Sequence, residues 1–507
     1  MKKPESANCV IEIDTSVSYQ TIDGFGASDA WRCQFVGKNW PVEKREQIAD
    51  WLFSTETDEN GNPKGIGLSI WRFYLAAGTA EQGDSSGIAN PWRRGESFLS
   101  PDGKWDWTKY EGQRWFLKAA QNRGVEKFLA FTIAPPVQFA KNGKGFGSKG
   151  VSNFNILPGK DKDYAAYLAN VLEHFKDNEG LEFDYISPFN EPQWDWENGN
   201  QEGTPAKNSE LFQYMNYLSH ELQQRKLKTL IVPGEAATIE HVSSVVKNDE
   251  RDNQMETFFA ESSPLYIGNL PNMANIISAH SYFTVWPVDS QIVKRQRLAQ
   301  KMRVVNPETG YWQSEYCILE NNDEVGQGNK RDLEMPTALF VARIIHNDLT
   351  ICNARSWQWW TALTQFDYKD GLVYLDSGTE DNPGEMGADI ESLKFDGTAR
   401  DSKLMWALGN YSRFVRPGMQ RIKAGLTGDN AKNENLLVSA FLNRETNETV
   451  IVVVNTGNEE ISVAIPDNKG KSSMYLTSAE KNLAYSEVTR NRVLLPAKSV
   501  ATICLTM

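Results

Sequence analysis

Apolar and polar positions alternate along this chain in a two-part rhythm. Up to about residue 410, eight short runs rich in apolar, β-branched or aromatic residues recur, each ahead of a stretch with helical spacing. The runs lie at 22–25, 66–73, 127–133, 184–189, 229–233, 275–280, 310–315 and 354–359. Amphipathic stretches fall between them at 42–53, 107–123, 164–175, 210–225 and 333–346. In the last of these, Leu333, Pro336, Leu339, Phe340 and Ile344 keep the three-to-four spacing of one buried helix face. Strand alternating with helix predicts a parallel sheet, and eight repeats allow it to close into a (β/α)8 barrel. An open doubly wound sheet is the alternative, but it would bind its ligand at a switch point, usually with a Gly-rich turn, and none is visible.

The rhythm changes near Tyr411. Helical spacing fades, and β-rich runs at 435–442, 449–455, 460–465, 492–495 and 499–505 follow, separated by turns such as Thr456-Gly457-Asn458 and Asp467-Asn468-Lys469-Gly470. This predicts an antiparallel β-sandwich. Cys9-Val10-Ile11-Glu12-Ile13 alternates in the same way ahead of the first barrel run. The expected architecture is therefore an α/β (β/α)8 barrel over 22–410 and a β-sandwich built from both termini, 1–21 and 411–507.

Composition narrows the function. Over 507 residues the net charge is −13, which argues against a nucleic-acid or anionic-membrane partner. Five scattered cysteines and five histidines show neither a disulfide framework nor metal-ligand spacing, so no metal and no cofactor are expected. The glycines of Lys141 to Gly147 lack phosphate-loop spacing and read as a loop. No apolar run is long enough to span a membrane, and the opening Met1-Lys2-Lys3-Pro4-Glu5-Ser6 carries no apolar export signal. Sixteen tryptophans suit either core packing or a cleft in which indoles stack on sugar faces.

Two carboxylates stand where barrel enzymes keep their chemistry. Glu191, in Phe189-Asn190-Glu191-Pro192, follows the fourth run, and Glu315, in Trp312-Gln313-Ser314-Glu315-Tyr316, ends the seventh. Catalytic groups of (β/α)8 enzymes sit at strand C-termini. A carboxyl pair flanking a glycosidic bond can act as acid and nucleophile, and about 5–5.5 Å between them implies retention of configuration.

Asn190-Glu191-Pro192 after a strand resembles the acid/base motif of retaining glycosidases on (β/α)8 barrels. Ile22-Asp23-Gly24-Phe25-Gly26-Ala27-Ser28 resembles the first barrel strand of glycoside hydrolase family 30, which joins this barrel to a β-sandwich assembled from both termini. Asn190 to Trp196 is most similar to the branch of endo-β-1,6-galactanases. The resemblance implies Glu191 as general acid/base and Glu315 as nucleophile. It also implies Arg72 and Tyr282 beside Glu315, Asn190 on the sugar 2-hydroxyl, and Trp360 as the floor of the cleaved subsite. Trp194 and Trp196 either line the leaving-group side or pack their own loop. His280 belongs either to the site or to the core. Where many relatives carry a wall tryptophan after the strand-3 prolines, Gln138 stands here, which leaves the sugar preference open. The substrate expected is a plant-type polysaccharide, β-1,6-galactan first, then β-1,6-glucan, a xylan or a glucosylceramide-like glycoside. A binding protein on a catalytically dead barrel is the reading from another class. The polar loop Gly78 to Gly103, with Trp92-Arg93-Arg94, reads as a groove wall. The resemblance also implies secretion to the periplasm or cell surface.

Overall fold

A computed structural model describes residues 9–377, 391–428, 433–468, 470–489 and 491–506. The opening segment Met1 to Ser6 and Lys469 of the 467–470 turn lie outside these residues. After β1 (Cys9–Thr21), eight parallel strands form the barrel: β2 (Gly24–Ser28), β3 (Ile70–Leu75), β4 (Lys127–Thr132), β5 (Tyr185–Ser187), β6 (Leu230–Ile231), β7 (Ile276–His280), β8 (Gly310–Glu315) and β9 (Ala354–Thr364). Ladders run from β9 through β2, β3, β4 and β5 to β6, and from β7 through β8 back to β9. Parallel bridges Ile231–Met273 and Ala236–Ala279 close the remaining seam. The short β6 runs into Val232-Pro233-Gly234. Pro233 has no N–H to give the ladder, which accounts for the interruption there.

Period-two alternation sorts the barrel interior into layers. Ile70 on β3 and Leu129 on β4 join Val232, Ile276 and Trp312 in a buried plug at the strands' N-terminal end. Trp312 Nε1 donates to Asp23 at 2.8 Å, and Arg355 pairs with the same carboxylate at 2.9 Å. Two residues further along β3 comes Arg72, also fully buried. The glycines of β2 have a steric reason: a Cβ on Gly26 would stand 2.8 Å from the Ile70 carbonyl oxygen.

β10 (Gly371–Asp376) and β11 (Thr398–Arg400) extend the barrel sheet beyond β9, an addition the hydrophobic rhythm does not announce. The second sheet holds β12 (Gln420–Thr427), β13 (Leu436–Leu442), β14 (Thr449–Asn455), β15 (Ile461–Ala464), β16 (Ser472–Ser478), β17 (Lys481–Glu487), β18 (Arg492–Leu495) and β19 (Ser499–Leu505). Its order is β17-β16-β19-β14-β13-β12-β1-β15-β18, so β1 lies inside it, antiparallel to β12 and parallel to β15. The predicted barrel and two-ended sandwich are thus observed. β14 shows how the two parts join. Val450, Val452 and Val454 enter the core shared with the barrel, while Ile451 and Val453 enter the sandwich core. A strand covered on both faces reads as a continuous apolar run, and burying each valine contributes roughly 1.5–3 kcal/mol.

Candidate active site

The buried polar cluster sits one layer above the Trp312 plug. Arg72 is fully buried on β3, with its guanidinium 3.7 Å from the Phe131 ring centroid. Nη1 donates to Glu315 Oε2 at 2.6 Å; Nη2 donates to Glu235 Oε2 at 2.9 Å and to Asn190 Oδ1 at 3.1 Å. Tyr282 donates its hydroxyl to the other Glu315 oxygen at 3.0 Å. The β7–β8 register shifts so that His280 stands opposite Glu315. A shift of this kind re-aims a side chain at a strand end.

Glu191 lies just past β5 with φ of +49°, a left-handed conformation rare for a residue with a side chain. Its backbone is tied down from three directions. Glu191 N–H donates to the Glu235 carbonyl at 2.8 Å, and the Glu191 carbonyl accepts from Trp194 N–H at 3.1 Å and Trp196 Nε1 at 3.0 Å. The strained residue is held by its surroundings, a pattern common at functional sites.

His280 resolves the choice between site and core: it is fully buried, and its partners are carboxylates rather than backbone. Nδ1 lies 2.7 Å from Glu191 Oε1, and Nε2 lies 3.2 Å from Glu235 Oε2. Burial would make it neutral, but Glu315, Glu191 and Glu235 push it up to about 10. As an imidazolium it donates from both nitrogens. Burial favours the acid form of Glu235 too, yet Arg72 and His280 hold it down at about 2. Burial pushes the Glu191 carboxyl above the usual range, helped by Glu315 and Glu235 and opposed by His280. Three carboxylates thus face two fixed cations, and the cluster is neutral when Glu191 carries a proton.

One oxygen each of Glu191 and Glu315 and a nitrogen of His280 lie within 4.8 Å of one another. By distance these three could hold a cation. A protonated His280 has no lone pair to offer, however, and Arg72 already occupies Glu315, so the donor set fits a metal poorly.

A cleft of about 500 Å³ opens over the cluster, and Asn190, Glu191, Trp194, Trp196, Tyr282, Glu315 and Trp360 all line it. A larger groove of about 800 Å³ lies at the barrel's other end, beside Tyr19 and Thr309; among the described residues Glu308 is the one acid lining it, so no carboxylate pair is found there. Arg72 and His280 lie beneath the cleft and act on its carboxylates from below. Gln138 is not brought to the cleft. The chain turns at Pro136 to Phe139, and the Gln138 amide donates to the Leu99 carbonyl at 2.7 Å.

Sequence reasoning passed over three parts of this region. Glu235 sits at the end of the β6 segment, and its position after an apolar run was the available signal. Trp31, Arg32 and Asp370 line the cleft from loops after β2 and β9, beside Arg93 of the loop read as a groove wall. Glu202, fully buried, accepts from Thr79 Oγ1 at 2.5 Å and Ala77 N–H at 2.8 Å, and also from the Tyr74 hydroxyl. It fastens the loop after Glu191 to β3, and burial pushes it up to about 7. No local pattern marks it.

Comparison with known proteins agrees with this geometry. A family model described as O-Glycosyl hydrolase family 30 matches residues 8–374, and one described as Glycosyl hydrolase family 30 beta sandwich domain matches 420–503. An endo-beta-1,6-galactanase of Hypocrea rufa is 27% identical over 248 residues, covering 46% of this chain and 50% of that protein. The matched region thus spans half the length of the galactanase. The glucuronoxylanase XynC of Bacillus subtilis is 24% identical over 406 residues, covering 76% of this chain and 77% of the relative. The crystal structure of a conserved exported protein from Bacteroides fragilis superposes with a TM-score of 0.90 at 36% identity, covering 98% of this chain and all of the other. A barrel match and a sandwich match, in this order and over nearly the whole chain, place the protein in family 30 of the O-glycosyl hydrolases.

Proposed function

We propose that the protein hydrolyses β-glycosidic bonds within a polysaccharide and retains the anomeric configuration. The observation that carries this reading is the approach of Glu191 and Glu315 oxygens to within 4.8 Å. That is the short separation of a double-displacement pair; an inverting pair needs about 6.5–9.5 Å to admit a water. Glu315, held by Arg72 and Tyr282, is the nucleophile. Glu191, whose carboxyl burial pushes above the usual range, is the acid that releases the leaving group and then the base that activates water. Asn190 binds the 2-hydroxyl, Trp360 forms the floor, and Trp194 and Trp196 take the leaving-group side. The matching pair of carboxylates also argues against a dead barrel kept only for binding.

β-1,6-galactan is the first substrate, supported by the galactanase likeness around Glu191; β-1,6-glucan and xylan are the alternatives. We also place the protein among exported ones, from its likeness to an exported protein; among the described residues no helix is long and apolar enough to cross a membrane. The test is a product profile on debranched β-1,6-galactan, with β-1,6-glucan and glucuronoxylan in parallel, and proton NMR of the first anomer formed. A ladder of galacto-oligosaccharides appearing first as the β-anomer is expected. First appearance of the α-anomer rejects the double displacement, and products from glucan or xylan alone reassign the substrate.

Glu235 supplies a second check on the charge balance. Its negative charge helps keep Glu191 protonated. Glu235→Gln removes that charge, so protonated Glu191 becomes less favoured. The basic limb of the kcat/KM profile, which reports the acid in the free enzyme, is expected to move to lower pH. A uniform fall in rate with an unmoved limb would leave Glu235 a purely packing residue.

A further inference from the structure

The groove of about 800 Å³ at the barrel's other end takes no part in hydrolysis, yet its walls are built with care. It lies where the sandwich strand β1 meets the first residues of β8 and β9, against the helix Val288–Val305. Tyr19 and Gln20 reach it from an irregularity in β1. Ser18 stands opposite Ile422 and Thr21 opposite Gln420, so β1 carries one residue more than β12 over this step. A bulge of this kind re-aims side chains.

The re-aimed pair is held from behind by the buried Arg421 of β12. Its guanidinium lies 3.7 Å from the Tyr19 ring centroid, Nε donates to Gln20 Oε1 at 2.9 Å, and Nη2 donates to Asn353 Oδ1 at 2.7 Å. The Gln20 amide donates in turn to the Leu349 and Ala354 carbonyls at 2.8 and 3.1 Å. Tyr19, Gln20 and Asn353 all line the groove, so three residues of its wall are fixed before a ligand arrives. That lowers the ordering cost of binding. Tyr19 is 40% exposed; Arg421 backs its ring, and the exposed side is left for the C–H face of a sugar.

The helix wall is polar and uncommitted. Gln296, Gln300 and Arg303 follow one another at i, i+4 and i+7, along one helix face. All three line the groove, and none has a side-chain hydrogen bond or ion pair among the described residues. Between the walls Arg355 lies across Gly310, where a Cβ would stand 2.5 Å from its Cδ; its Nη2 pairs with Asp23 at 2.9 Å and its Nε has no partner. The Tyr311 hydroxyl is likewise buried without a partner. Unmet buried polar groups are costly, and a hydrogen-bonding ligand offsets that cost. Lining charges nearly cancel, since Glu308 stands against Arg303 and Arg355 already has Asp23. An aromatic face, planar amides and guanidiniums, little net charge and no carboxylate pair suit a sugar chain that is bound and not cut. We infer that this groove is a second, non-catalytic binding site for a neutral stretch of polysaccharide. The choice of ligand rests on the glycosidase reading of the cleft, and the added site holds the enzyme on a long chain by avidity.

The test is affinity electrophoresis of the full chain through gels cast with debranched β-1,6-galactan, β-1,6-glucan or glucuronoxylan, beside kinetics on a short oligosaccharide that fills the cleft alone. Tyr19→Ala is expected to weaken binding of the accepted polymer on the order of tenfold or more, the loss of one of two linked sites. KM on the polymer should rise with it, while kcat and the short-oligosaccharide kinetics stay unchanged. Gln300→Ala combined with Arg303→Ala removes no internal contact and is expected to act in the same direction with unchanged thermal unfolding, which separates binding from any folding defect of Tyr19→Ala. Polymer binding equal to wild type in the Gln300→Ala, Arg303→Ala double variant overturns the second site, and so does a parallel loss on the short oligosaccharide. Displacement of the polymer by inorganic phosphate at constant ionic strength makes the groove an anion site and overturns the sugar assignment. The two readings fail separately. Groove-dependent retardation without turnover keeps the site and rejects hydrolysis; turnover with retardation that neither variant changes rejects the site and keeps hydrolysis.

Discussion

Glu315→Gln is expected to lower turnover on the order of 10⁴-fold or more, the scale of losing a group that acts as a unit with its neighbours. Binding of oligosaccharides should persist, because the cleft walls are untouched. The fold should persist as well, for a reason that lies in the hydrogen bonds. Glu315 accepts from Arg72 on one oxygen and from Tyr282 on the other. A glutamine has one oxygen and one NH₂ group. Arg72 can only donate, so the amide oxygen must face it; the Tyr282 hydroxyl can turn and accept from the NH₂. Arg72 also keeps Glu235 at 2.9 Å, so its charge is not left unpaired. The measurement is single-turnover kinetics on the accepted glycan, with thermal unfolding beside it. A glycoside fluorinated at C2 with a good leaving group should add its glycosyl mass to the peptide bearing Glu315 in wild type and not in the variant. Turnover near wild type, or labelling on a different carboxylate, removes Glu315 from the nucleophile role.

The same contacts show what could be read from the chain and what could not. Barrel rhythm was legible because a parallel sheet covered on both faces concentrates apolar residues into runs, and because Gly24 and Gly26 mark a close approach to β3 that only glycine permits. Glu191 and Glu315 were legible because a carboxylate at the end of an apolar run is unusual. Arg72, Tyr282 and Asn190 were expected in the site from the family resemblance; in the structure Arg72 and Tyr282 donate to Glu315, and Asn190 accepts from Arg72. Glu235 stands at a strand end like the others, but its meaning lies in contacts with Arg72 and His280, 163 and 45 residues away in sequence. Gln138 was read from a position in a motif; the turn after Pro136 sends its side chain to Leu99 instead. β16 and β17, at one end of the second sheet, were not anticipated. β17 is the edge strand and β16 lies between it and β19; SSMYLTS and KNLAYSE both mix polar and apolar residues without the run that marks β14. Trp196 shows that packing and lining are not exclusive: it borders the cleft, and its ring also lies so near Gly203 that a Cβ there would come within 2.3 Å.

Glu191→Ala should fail in a different way from Glu315→Gln. The acid matters in proportion to how poorly the leaving group departs unaided. For a polysaccharide the leaving group is a sugar hydroxyl, and losing the acid is expected to cost about 10²–10⁴-fold in kcat/KM. For a dinitrophenyl glycoside the leaving phenolate needs no proton, so the first step should be much less impaired. The second step still lacks its base, and a glycosyl-enzyme should accumulate after a burst of phenolate. Azide, a nucleophile that needs no base, should enter the space left by the carboxylate and restore turnover, giving a glycosyl azide of retained configuration. The basic limb of the pH profile should also disappear, because the group it reports is gone. His280 makes the experiment demanding, since removing Glu191 takes away the 2.7 Å partner of its Nδ1. It keeps Glu235 at 3.2 Å and lies 3.5 Å from Glu315, so the imidazolium retains two counter-charges and the site should stay assembled. Equal losses on the polysaccharide and the activated glycoside, with no response to azide, would mean that Glu191 supports the site without transferring the proton, and that the acid must be sought elsewhere in the cleft.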